Sequence, residues 1–155
     1  MGRPSIYEAA GGQAAFRALA AAHHRRCLDD ELLNHPFSHP GHPQHVERLA
    51  DYWAEVLGGP PGPVGHTAML AIHAGNRAPA EMGERFLACF LAAIDDAGLP
   101  DAPALRDALR DYMTWAVAEV DGYWEPGRSV ADGLPTPRWS WDGLVDETRG
   151  SGPPP

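Results

Sequence analysis

Gly58-Gly59-Pro60-Pro61-Gly62-Pro63, then Val64 and Gly65, then His66-Thr67-Ala68-Met69-Leu70-Ala71-Ile72-His73, is the stretch on which the reading of this chain turns. The glycines and prolines break any regular element into loop. The eight residues from His66 then suit a helix of about two turns, with Met69, Leu70 and Ile72 leading up to His73. Helices this short rarely persist on their own propensity. One that presents a histidine at its end is better explained by a group that the histidine holds. A neutral imidazole is the commonest metal ligand and the usual proximal ligand of haem iron. Haem is mostly apolar, so a pocket for it calls for the Met, Leu and Ile character of this run.

Working outward, nearly everything else reads as helix, and no sustained two-residue alternation marks a strand. Ser5 stands three residues before Glu8, the spacing of a capping box, and Gly11-Gly12 ends the short element that it opens. A helix from Gln13 to about Leu28 follows, its stripe formed by Phe16, Leu19, Ala20, one of His23 and His24, and Cys27. Asp29-Asp30-Glu31 opens a short helix to about Asn34, and three prolines then interrupt residues 35–43. Gln44 to Leu57 is the next helix, with His45, Leu49, Tyr52, Trp53 and Val56 near one stripe. Beyond His73, Pro79 suits the first turn of a helix to about Ala97 bearing Met82, Phe86, Cys89, Phe90 and Ala93. Pro103 starts another, with Leu105, Leu109, Tyr112, Met113, Ala116 and Val120. From Glu125 the composition shifts to Gly, Pro, Ser and Trp. The expected division is a helical domain over 1–124 and a tail over 125–155, partly disordered, with Trp139 and Trp141 able to pin its early part. Residues past about Asp142 are expected to be dispensable.

The chain has 155 residues, enough for one domain with one core. A formal net charge of -9 leaves no basic face for nucleic acid or an anionic membrane surface. No apolar run approaches the ~20 residues that span a bilayer, and Met1-Gly2-Arg3-Pro4 opens no signal-peptide core. Cys27 and Cys89 sit in apolar helical context and read as buried thiols, which suits a reducing cytoplasm.

The order Tyr7-Glu8-Ala9-Ala10-Gly11-Gly12, Phe16, Phe37, His45, Tyr52-Trp53, Gly58-Gly59-Pro60, His66 and His73-Ala74 resembles group II truncated haemoglobins over roughly residues 5–121. Pro135-Thr136-Pro137-Arg138-Trp139-Ser140-Trp141 resembles an extension found in some actinobacterial members. The resemblance implies an all-α truncated globin, a two-over-two helical sandwich around b-type haem. It assigns His73 as the iron ligand, Phe37 as the aromatic packed on the haem face, and His45 and Leu49 as residues of the distal helix. His24 falls where the family usually has tyrosine, and Phe86 where group II members usually carry a tryptophan that donates to the ligand. Phenylalanine cannot donate, whereas histidine keeps a donor and adds a group that titrates near neutrality. The implied distal side is two imidazoles in an apolar cavity, able to hydrogen-bond a bound gas, move protons, or ligate the iron.

Two functional classes follow. One is a haem protein binding O2, NO or CO, with redox turnover (NO dioxygenation or peroxidase-like chemistry) and a reductase as its extension. The other is a haem-free helical sensor or interaction module using the Trp-rich tail. Met69, Leu70, His66 and Arg77 complete the candidate cofactor residues. Arg77 pairs a haem propionate or is a solvated arginine, and His66 contacts a propionate or merely starts its helix. His35, His39, His42 and His45, at spacings of 4, 3 and 3, could form a metal loop, although the prolines break the helix that would converge them. Tyr52 and Trp53 read as packing residues, and Cys27 and Cys89 as core.

Overall fold

Ser5 caps the first helix as its spacing implies: its Oγ accepts from the Glu8 N–H at 3.1 Å and opens α1, Ile6–Ala10. Such a cap contributes about 1 kcal/mol. The computed structural model describes residues 2–34, 44–74, 80–123 and 129–145. Gly11 and Gly12, with φ of 119° and 77°, turn the chain directly into α2, Gly12–Asp29. Past α2, the Asp30 carboxylate accepts from the Leu32 and Leu33 N–H groups, closing a single turn toward Asn34.

The remaining helices are α3, His45–Val56, α4, His66–His73, α5, Ala80–Asp96, and α6, Pro103–Asp121 with proline in its first turn. These bounds follow the apolar spacing and the Gly and Pro breaks. α2 packs against α3 and α5, and α5 packs against α6. Phe16, Leu19, Trp53, Phe90, Leu109 and Tyr112 form the centre of the core. Between α5 and α6 a Cβ at Gly83 would meet Val117 Cγ1 at 2.7 Å, so a bare glycine permits their close approach. The loop before α4 is also tied down, since Glu55 at the end of α3 is buried and its carboxylate accepts from the Gly62 N–H at 2.8 Å.

Part of the tail forms a hairpin. Trp139–Ser140 pairs antiparallel with Gly143–Leu144 as β1 and β2, and the Val145 N–H donates to the Arg138 carbonyl at 2.8 Å. A cut near Asp142 would therefore split a hairpin. A strand of two residues offers no alternation to read, which is why this pair escaped the sequence pattern. Both tryptophans do pin the tail. Trp139 packs on Trp115 and Tyr112 with ring centroids 5.7 and 5.9 Å away, and Trp141 Nε1 donates to the Pro4 carbonyl at 2.7 Å.

Candidate functional site

His73 closes α4 with its Nδ1 2.9 Å from the Met69 carbonyl. A carbonyl only accepts, so Nδ1 carries the hydrogen, and the Nε2 lone pair is left to bind a metal. Burial lowers the ring's pKa, against the opposing effect of the Met69 carbonyl. The imidazole is thus held neutral, the form that ligates iron.

Two further imidazoles approach the same space. His24 of α2 and His45 of α3 lie with ring centroids 5.4 Å apart. The pKa of His45 is lowered first by burial of part of its ring and then by the neighbouring His24 and His73 imidazoles. Three elements therefore bring three histidines near one another. Among the described residues no group of three or more His, Cys, Asp or Glu is placed to hold a bare metal ion. An oriented ring without such a group around it, among the described residues, fits a metal whose remaining ligands come from a cofactor rather than a bare ion. Leu49, Met69 and Phe86 are half-buried at the edge of the core and supply apolar walls. Leu70 is 1% exposed and lines a cavity facing α6. Phe37 and Arg77, together with His35, His39 and His42, lie outside the described residues.

The structure separates the adjacent His23 and His24. His23 is 0% exposed, edge-on to Trp53, Phe86 and Phe90, and its Nε2–H donates to the Phe86 carbonyl at 3.3 Å. Cys27 Sγ stands 3.8 Å from its Nδ1. Burial is the main cause that lowers the His23 pKa from 6.5 to about 4. Above pH 6.5 the ring is neutral whether folded or unfolded. As the pH falls from 6.5 toward 4, the unfolded chain takes up a proton that the folded one excludes, so stability declines by up to about 3 kcal/mol. His23→Gln keeps an N–H for the Phe86 carbonyl and removes this titration. Urea midpoints measured from pH 7 to 4 should fall less steeply in the variant, and equal slopes would show that His23 does not set the dependence.

His66 starts α4, one of its two sequence readings, and its ring is engaged inside the protein. It is 5% exposed, with Nε2 3.1–3.2 Å from the Glu119 carboxylate oxygens and Nδ1 2.7 Å from the Tyr52 hydroxyl. An ionised carboxylate accepts, so Nε2–H donates to Glu119 and Nδ1 accepts from Tyr52. With both nitrogens engaged inside the protein, His66 joins α3, α4 and α6 and has no donor left for a propionate. The partners lie 14 and 53 residues away, which no local spacing announces. Tyr52, read as packing alone, is equally a hydrogen-bond donor. Cys27 and Cys89 are buried free thiols as expected, and burial raises the pKa of each.

A packed helical core, with an oriented imidazole on a short helix and two more imidazoles nearby, is what the small helical haem-binding proteins called globins offer. Residues 5–120 match the model of the bacterial-like globin family, and the chain belongs to that family. The haemoglobin of the thermophilic phototrophic bacterium Chloroflexus aurantiacus is 28% identical, with a TM-score of 0.65 over 76% of this chain and 98% of that one. A thermostable haemoglobin from the actinobacterium Thermobifida fusca is also 28% identical, with a TM-score of 0.64 over 76% and 96%. The group II truncated haemoglobin of Bacillus anthracis shares the fold at 18% identity, with a TM-score of 0.67 over 86% and 98%. No curated protein matches the chain. Among the described residues no helix is long and apolar enough to cross a membrane.

Proposed function

We propose that the chain is a group II truncated haemoglobin that holds b-type haem through His73 and takes O2, NO or CO on the side of His24 and His45. The observation that carries this is the His73 ring, fixed by the Met69 carbonyl with Nε2 left to ligate and two imidazoles nearby. Haem supplies the iron at which the gas binds, while the protein contributes orientation, polarity and access.

Each residue has a definite part in this reading. The Met69 carbonyl fixes the tautomer and direction of the His73 ring and makes Nε2 a stronger base. Leu49, Met69 and Phe86 exclude water from the cofactor, and Leu70 holds α4 from behind. Phe37 is proposed to pack on the haem face and Arg77 to pair a propionate carboxylate. His24 and His45 hold imidazole N–H donors toward the gas and can pass a proton to it. That capacity supports redox turnover of NO or peroxide, for which a reductase would be the partner. The tail tryptophans engage Tyr112, Trp115 and Pro4 of the same chain, which weighs against a tail that recruits a partner.

Purified protein supplied with haem should show a Soret band that sharpens on reduction and shifts with CO. A chain that stays colourless and folded would overturn the proposal in favour of a haem-free helical sensor.

A further inference from the structure

α4 carries His73, yet among the described residues it packs broadly against no other helix. It is held near its N-terminus by His66 between Tyr52 and Glu119 and by Thr67, and further along by buried Leu70. The Thr67 hydroxyl uses both of its functions on a distant segment: Oγ1 donates to the Ala131 carbonyl at 2.9 Å and accepts from the Leu134 N–H at 2.9 Å. That segment is firmly anchored elsewhere. Beyond the Trp139 and Trp141 contacts, the Arg3 guanidinium lies 3.8 Å over the Trp141 ring, and Arg138 reaches the Glu55 carbonyl at 3.4 Å. A cavity of about 410 Å³, walled by Leu70, Trp115, Glu119, Leu134 and Val145, lies between part of the tail and the α4 and α6 helices. Next to this space the tail reaches α4 through the two Thr67 bonds.

We propose that residues 129–145 form a strap that fixes the proximal helix, with Thr67 as the positioning residue through which it sets the tilt of His73 toward the haem. The inference rests on the reading of His73 as the iron ligand. A helix of eight residues is a rigid lever of about 12 Å. Thr67 lies near one end and His73 at the other, so restraint at Thr67 limits how far the imidazole can swing. The strap is anchored on α6, on the end of α3 and on the N-terminal segment, and it transmits the position of that frame to the ligand.

The test compares full-length wild type, Thr67→Val and Thr67→Ser, each loaded with haem. Valine keeps the shape and loses both hydrogen bonds, whereas serine keeps the hydroxyl. In Thr67→Val the α4 amides should exchange roughly tenfold faster with solvent, as expected for the loss of two partly solvated hydrogen bonds. The iron–histidine stretching band of the ferrous protein should shift and broaden, and Thr67→Ser should restore both signals. An unmoved band in Thr67→Val overturns the strap even if exchange quickens, because the tail would then hold the helix without reaching His73. A serine variant that behaves like valine overturns it as well. A wild type without a Soret band signals instead that the reading of His73 has failed.

Discussion

His73→Ala should abolish stable haem uptake, or leave a loosely held haem whose ferrous spectrum returns on adding free imidazole. The expectation follows from how α4 is built. The His73 ring is fixed by its own helix, with Nδ1 committed to the Met69 carbonyl. Burial lowers its pKa and keeps the ligating lone pair available near neutral pH. His24 and His45 approach from α2 and α3, so neither can take its place on α4. Haem content measured by the pyridine haemochrome absorbance, with and without imidazole, decides the matter. Normal haem content and an unchanged ferrous spectrum in His73→Ala would remove His73 from the role.

The second large effect belongs to the distal pair. If His24 and His45 each donate a hydrogen bond to a gas ligand that carries partial negative charge, each contributes ~1–2 kcal/mol. Losing one then speeds O2 release by roughly 5- to 30-fold, mostly through the off-rate. CO carries less charge on its outer atom and should change much less. His24→Leu and His45→Leu remove the donors one at a time, and stopped-flow dissociation reads the result. With the two rings 5.4 Å apart, the effects should not add simply, because removing one frees its neighbour to reorient. Equal rates in wild type and both variants would mean that neither ring touches the ligand.

Much of the fold was legible because its signals are local. The Ser5 cap, the glycines after α1, the Gly/Pro loop before α4 and the proline opening α6 mark boundaries within a few residues of where they act. The apolar spacing of α2 pointed to one of His23 and His24 as inward, yet neighbours on a helix stand about 100° apart and either could face the core. The residues packed around them decide it: Trp53 and Phe90 close over His23, and His24 turns toward His45. His66 was read as a propionate contact or as the start of its helix, and it does start α4. Its role depends on Tyr52 and Glu119, which come from two other helices.

Composition and spacing alone settle that this chain is helical and that a Gly/Pro loop delivers a short helix ending in His73. These follow from backbone freedom and apolar periodicity, properties that each residue expresses within a turn or two of itself. Which imidazole is buried, where the tail lies and what holds α4 were decided only in three dimensions. Those outcomes depend on hydrogen bonds and ring contacts between groups far apart in the chain. A hydroxyl such as Thr67 bonds whichever backbone groups the packed helices bring within about 3 Å, and that distance exists only once the helices have packed.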